Sequence, residues 1–254
     1  MAVMPMFPLG AVLFPGGVLP LHVFEPRYRR LVQDLLDGEP EFGVTLIEKG
    51  SEVGGGDQRS AVGTVARLVR VAEMPDGRYA IVSVGVRRIR VVRWLEDDPY
   101  PRAEVEDWPD DRAPDPDGPA ASVAPAHAID PAEPNDPIDP ADPIDATGSR
   151  QVQALLEEAS RHVRRVLALA VELGVRRAAV PDELSSDPVV AGYQLSALAP
   201  FGPADQYRLL AAPDPTTRLR LLRDLLEDVE AGLRFHLLPP PGDQTSADPG
   251  PDAS

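Results

Sequence analysis

Catalysis needs particular side chains at particular spacings, and this chain supplies few of them. Its only lysine, Lys49, lies in Ile47-Glu48-Lys49-Gly50-Ser51. A phosphate-cradling P-loop needs a glycine-rich turn ahead of Lys and Ser/Thr and a helix behind them, and neither flanks Lys49. A Ser–Lys dyad needs a lysine to activate its nucleophile, and this single lysine follows a strand-like apolar run instead. Gly54-Gly55-Gly56 lacks the G-x-G-x-x-G spacing and reads as a flexible loop, and no G-x-S-x-G elbow exists. The histidines His22, His127, His162 and His236 stand far apart and form no H-x-x-x-H pair. His22 follows an apolar strand and reads as a hydrogen-bonded structural histidine; His127, among prolines and aspartates, reads as solvated. Glu25 and Asp34 read as a helix-start carboxylate and a surface residue, not as an acid–base pair. With no cysteine, disulfides, thiolate metal sites and thiol nucleophiles are excluded. The expectation is a protein that is not an enzyme and holds no cofactor or metal.

Three arginine groups raise the question of nucleic acid: Arg27, Arg29 and Arg30; Arg87, Arg88, Arg90 and Arg93; and Arg161, Arg164 and Arg165. On a strand, Arg88 and Arg90 share one face while Arg87 and Arg93 share the other. Acidic residues elsewhere balance these groups, and the only nearby aromatics for base stacking are Tyr28, Tyr79 and Trp94. A solvated or salt-bridged arginine face is the simpler reading, and it argues against a nucleic-acid partner.

The elements that must position any site are legible from punctuation and period. Ala11 to Phe14 and Val18 to Leu21 are apolar runs cut short by Pro or Gly. They read as two short buried strands joined by Pro15-Gly16-Gly17. Pro26 suits the first turn of a helix with Glu25 at its positive end, Leu31, Leu35 and Leu36 on its apolar face, and Asp37-Gly38 as its stop. Strands follow at Phe42 to Glu48, Val62 to Val71, Tyr79 to Val84, Val86 to Leu95 and Ala103 to Trp108, with Met74-Pro75-Asp76-Gly77 as a hairpin turn. Several short strands with tight turns imply a small twisted barrel or folded sheet. Later the period becomes helical: Val152, Leu155, Leu156, Ala159, Val163, Val166, Leu167 and Ala170 form one stripe that Gly174 closes. Helices at Pro188 to Ala199, Pro203 to Leu210 and Pro215 to about Leu233 complete a small bundle. The apolar face of Ala191, Leu195 and Leu198 offers a surface for a homodimer.

The net charge of −16 is unevenly placed. Ten acidic residues and one arginine between Asp110 and Asp145 carry −9, and the tail from Pro239 carries −3, which leaves −4 for the rest. A tract with a proline about every fourth residue, as in Asn135-Asp136-Pro137-Ile138-Asp139-Pro140, cannot bury enough apolar surface to offset its ordering entropy. The expected organisation is a β domain over 1–108, a disordered linker over 109–149, a helical bundle over 150–238 and a disordered tail over 239–254. No apolar run approaches the ~20 residues of a membrane span, and the apolar start lacks a basic segment before it, so a soluble cytoplasmic protein is expected.

The opening, Met6 to Tyr28, resembles the start of the LON substrate-binding domain, which begins Lon-type ATP-dependent proteases and also occurs as free-standing bacterial proteins. Similar pieces follow in order: Arg27-Tyr28-Arg29, Phe42-Gly43-Val44, Gly63-Thr64-Val65-Ala66, Asp76-Gly77-Arg78-Tyr79, Gly85 to Ile89, and Tyr100 to Val105. Asp205 to Leu210 and Thr217-Arg218-Leu219 match in the helical part. The resemblance implies an α+β fold, a PUA-like β pseudobarrel followed by a small C-terminal helical bundle. It implies a non-enzymatic binding module without the Lon ATPase or protease machinery. Its ligands would be exposed apolar or unfolded polypeptide segments, and its role that of an adaptor or chaperone-like factor beside a protease or chaperone in quality control. A groove near the first strands would then use Phe14, Phe24 and Tyr28 for substrate binding, although aromatics beside strand turns commonly pack inward. An RNA- or small-ligand-binding regulator of the PUA-like type is the alternative.

Overall fold

Strand β1 (Ala2–Leu9) changes partner halfway along its length, and this switch shapes the barrel. Ala2 to Pro5 pair antiparallel with β6 (Arg102–Asp107), whereas Met6 to Leu9 pair in parallel with β3 (Glu41–Lys49). The long strands β4 (Gln58–Glu73) and β5 (Tyr79–Trp94) form a hairpin whose turn Gly77 closes at φ +74°, a conformation open to glycine. β5 divides its outer edge as well. Its first half carries β2 (Val18–Val23) and its second half carries β6, so the order β2-β5-β4-β3-β1-β6 closes on itself through β5–β6. The computed structural model describes residues 1–49, 58–110, 143–174 and 184–237.

The structure is α+β, as expected, and it revises several local expectations. Ala11 to Phe14 are not a strand; β1 lies earlier, its pattern masked by Pro5 and Pro8, and Leu13 and Phe14 plug the core from an irregular segment. Tyr79 to Trp94 form one strand, not two. Helix α1 (Pro26–Asp37) starts at its proline, but Glu25 makes no side-chain cap and instead accepts from Arg27 Nε at 3.0 Å. Its buried face is Tyr28, Leu31, Val32 and Leu35, while Leu36 points outward. α1 packs on the inner face of the β2–β5–β4 ribbon, where Val23, Tyr79 and Ile81 meet it.

Helices α2 (Pro143–Glu172), α3 (Pro188–Leu198), α4 (Pro203–Leu210) and α5 (Pro215–Leu237) form the bundle. Proline opens each, and Asp187 caps α3 by accepting from Val189 N at 2.8 Å. The linker expected over 109–149 differs at both ends. Pro109 and Asp110 belong to the junction described next, and α2 begins at Pro143. Residues 111–142, the Gly54-Gly55-Gly56 loop and the tail from 239 lie outside the described residues. Ala191 and Leu195, expected on a dimer face, are buried in the bundle's own core, so that face is not free.

Barrel and bundle share one core. Phe14 and Val62 from the barrel pack among Tyr193, Leu195, Leu209, Leu222 and Leu226, with the Phe14 and Tyr193 ring centroids 6.0 Å apart. Gly85 makes the close approach possible, because a Cβ there would stand 2.3 Å from the Phe14 carbonyl oxygen. At the seam Asp110 accepts from Arg88 Nη2 (β5) at 2.9 Å, from Arg218 Nη2 (α5), and from the Tyr193 hydroxyl (α3) at 2.6 Å. Arg88 also donates to the carbonyls of Leu210 and Ala212, and Arg218 to that of Leu209. Burial pushes the Tyr193 hydroxyl well above its ordinary range, and its bond to Asp110 acts in the same direction.

Removing one partner from a buried ionic cluster strands the others, a loss of about 3–5 kcal/mol. Asp110→Ala is expected to lower urea-unfolding stability by about that much, and Asp110→Asn, which keeps an acceptor, by less.

Candidate functional site

The outer face of the β2–β5–β4 ribbon is where the chain leaves apolar side chains in water. Cross-strand partners share a face, so the register defines a grid. Its rows run Val18–Val84–Arg67, Pro20–Val82–Arg70 and His22–Ala80–Ala72. The alternate residues Leu19, Leu21, Val23, Ile81 and Tyr79 point inward to α1. A bulge between Leu68 and Arg70 adds Val69 to the strand, and Val69 is 64% exposed. Val18 is 65% exposed, and Phe24, one residue past β2, is 57% exposed. Exposed Val18 and Val69, with the half-buried Val82 and Val84 on β5 between them, make an apolar surface of the kind that marks binding sites on soluble domains.

The edge beside this face is open. β2 pairs only with β5 among the described residues. Gly85 N donates to Gly17 O at 2.9 Å, so the antiparallel alternation puts the ladder bonds at Leu19, Leu21 and Val23. The backbone groups of Val18, Pro20 and His22 therefore face the open side, where the missing N–H of Pro20 costs no ladder bond.

Charges border the face on its β4 side. Arg67 donates to Glu41 Oε1 at 3.0 and 2.7 Å, Arg87 donates to Glu41 Oε2 at 2.7 Å, and Arg87 also reaches Asp107 at 2.8 Å. Burial alone would raise the Glu41 carboxyl, but the hydrogen bonds from Arg87 and Arg67 outweigh it and hold the group below its ordinary value.

Of the three aromatics expected to contact substrate, only Phe24 is on the surface. Phe14 is buried at the barrel–bundle seam, and Tyr28 is buried with its ring stacked on Phe7 at 4.0 Å. Both are core residues because α1 and α3 close over them, and they are withdrawn as contacts. His22 is exposed on β2 and its imidazole has no hydrogen-bond partner among the described residues, unlike the hydrogen-bonded structural role expected of it. Val18, Pro20, Val69, Val82 and Val84 were missed. The strand signal for most of them was present, but Val18 to Leu21 is apolar on both faces, so period alone could not say which side is wet.

Many of the other charges are paired within the chain. Arg90 and Arg93 pair with Glu106 and Glu104, as a salt-bridged face requires, whereas Arg88 is buried at 3% exposure. Asp34 takes Arg30 and the Tyr100 hydroxyl and is not paired with Glu25. A groove of about 540 Å³ between α2 and α5 is lined by Glu158, Arg161, His162, Arg165, Arg223, Glu227 and Glu230. At its base His162 Nε2 meets Glu230 Oε2 at 2.8 Å, and Arg234 reaches Glu230 Oε1 at 2.6 Å as a poorly aligned ion contact. Among the described residues no group of three or more His, Asp or Glu could hold a metal ion, and no helix is long and apolar enough to cross a membrane.

Comparison with known proteins places this architecture. The model of the ATP-dependent protease La (LON) substrate-binding domain matches residues 3–228. A Lon protease of Anaeromyxobacter dehalogenans is 36% identical over 107 residues, 41% of this chain and 13% of the relative. Lon protease 2 of Myxococcus xanthus is 36% identical over 106 residues, with the same shares. The matched stretch is thus about an eighth of the length of these relatives. The structure of a Lon N-terminal domain protein from Xanthomonas campestris superposes with a TM-score of 0.52 at 25% identity, covering 88% of this chain and 98% of that one. The N-terminal domain of the Mycobacterium avium complex Lon protease gives 0.52 at 18% identity over 89% of this chain and 99% of that one, a likeness of fold.

The Glu41 carboxyl gives a pH prediction. Its folded-state value lies below the ordinary 4.5, so its stabilising contribution is present above 4.5 and is lost as pH falls through the lower folded value. Unfolding midpoints measured from pH 6 to about 3 are expected to fall less steeply in Glu41→Gln than in the unaltered chain.

Proposed function

The chain belongs to the ATP-dependent protease La (LON) substrate-binding domain family, and we propose that it recognises exposed apolar segments of other polypeptides, as a non-catalytic adaptor or chaperone-like module. The outer face of the β2–β5–β4 ribbon is the recognition surface. The observation that carries this reading is the apolar patch of exposed Val18, Pro20 and Val69 around the half-buried Val82 and Val84 on adjoining strands, with exposed Phe24 at its end.

The physics of such a surface suits unfolded clients. Covering valines gains roughly 25 cal/mol per Å² of apolar area and makes few demands on sequence. An extended client can also use the backbone groups of Val18, Pro20 and His22 along the open edge, which binds main chain without reading side chains. Apolar surface with backbone hydrogen bonds describes a selector for unfolded chains better than a pocket for one small molecule. The arginine rows offer less to RNA, because Arg87, Arg90 and Arg93 already hold carboxylates that a phosphate would have to displace. This protein would therefore work beside a protease or chaperone that processes what it holds.

Binding of the full chain to a fluorescently labelled, permanently unfolded polypeptide, followed by anisotropy, tests the reading. Val69→Asp with Val82→Asp is expected to weaken binding about tenfold or more, the equivalent of 1.4 kcal/mol, with the far-UV spectrum unchanged. A flat isotherm for the unaltered chain, or undiminished binding by the variant, would remove the proposal.

A further inference from the structure

The rows that form the apolar face also carry charge. On β2, β5 and β4 they hold Arg67, Arg70 and His22 together with Val18, Val82, Val84, Pro20, Ala72 and Ala80, and the one carboxylate in line with them is Glu41 on β3, opposite Arg67. The two arginines also differ from each other. Arg67 is neutralised by Glu41, which is shared with Arg87, whose second partner is Asp107. That line of two arginines and two carboxylates carries no net charge. Arg70, exposed and directly across β5 from Val82, joins no ion pair among the described residues. At the hairpin end the Arg78 guanidinium is held by Asp76 at 2.6 Å, so it does not compete for a ligand's charge.

From this arrangement we infer that the face selects extended polypeptides in which acidic residues lie next to the apolar ones. The inference rests on the recognition reading above and adds a charge requirement to it. A client strand laid over Val82 and Val84 turns alternate side chains toward the face, about 7 Å apart, so an acidic residue two positions from an apolar anchor comes within reach of Arg70. The same placement brings a lysine of a client toward an uncompensated guanidinium, so the surface rejects basic segments as well as attracting acidic ones. The contact is solvent-exposed, so it tunes preference without dominating affinity, and salt screens it.

Two synthetic peptides with the same valine- and phenylalanine-rich centre, one flanked by glutamates and one by lysines, provide the test on the full chain. At low ionic strength the glutamate-flanked peptide is expected to bind about two- to fivefold tighter, with the gap closing as salt approaches ~1 M. Arg70→Glu should reverse the order of the two peptides, and Arg70→Gln should abolish the difference while an uncharged peptide of the same centre keeps its affinity. Equal affinities, a preference for lysine, or an order unchanged in Arg70→Glu would overturn the charge requirement and leave polypeptide recognition standing. A glutamate-rich peptide with asparagine in place of the apolar centre that binds equally well would also overturn it, because apolar anchoring would then play no part. Failure of every peptide to bind would instead remove the recognition reading on which the inference depends.

Discussion

Asp110 is the point at which the molecule is tied together. One carboxylate receives Arg88 from the barrel, Arg218 from the last helix and the Tyr193 hydroxyl from α3. Both guanidinium groups are buried, and their remaining donors go largely to the backbone carbonyls of Leu209, Leu210 and Ala212, which fixes the approach to α5. Trp108 lies against Arg88 and Arg90, with guanidinium carbons 4.5 and 4.6 Å from its ring centroid. Apolar packing holds barrel to bundle, and this cluster adds directional bonds from both sides that fix their relative placement. Buried ions are poor sources of net stability and good sources of specificity. The seam follows that division of labour, with leucines and Phe14 supplying the adhesion and Asp110 the register.

The divided edge of β5 has a second consequence. Its later half is committed to closing the barrel against β6, so its first half extends with β4 and β2 as a ribbon that, among the described residues, α1 and the barrel core cover on the inner side. The inner side has a conventional core, and the outer side is left apolar. Valines remain on the outer side because cross-strand β-branched pairs favour the strands themselves, so the residues that stabilise the ribbon are the ones that expose it.

Most of the architecture was legible in sequence. Proline at the first helical position and apolar spacing of three and four placed the bundle helices, with α4 at its expected limits, because those signals are local. The β4–β5 hairpin was equally clear from Asp76-Gly77. What escaped was nonlocal. Asp110 stands at the start of an acidic, proline-rich tract and resembles its neighbours until Arg88 and Arg218 converge on it from 22 and 108 positions away. Phe14 and Tyr28 could not be told from Phe24, since all three are aromatics beside turns, and only the placement of α1 and α3 decides which are covered. The apolar ribbon face stayed hidden for a related reason. Apolar residues at successive positions satisfy a buried strand as well as a half-exposed one, and the bulge at Val69 breaks the alternation that might have distinguished them.

Pro20 sets a limit on what the open edge can become. Bare edge strands with apolar sides are templates for stacking copies of a protein into fibres, and this ribbon has both features. A proline in the middle of β2 deletes the central outward donor, so an incoming strand meets a gap in the hydrogen-bond ladder just where registration would begin. A flexible client can bow around that gap. A rigid second copy of the same ribbon, presenting the same proline, cannot do so without losing a bond from each side. The substitution-sensitive position for solubility is therefore neither in the core nor among the charges, but at a residue whose contribution is an absent proton.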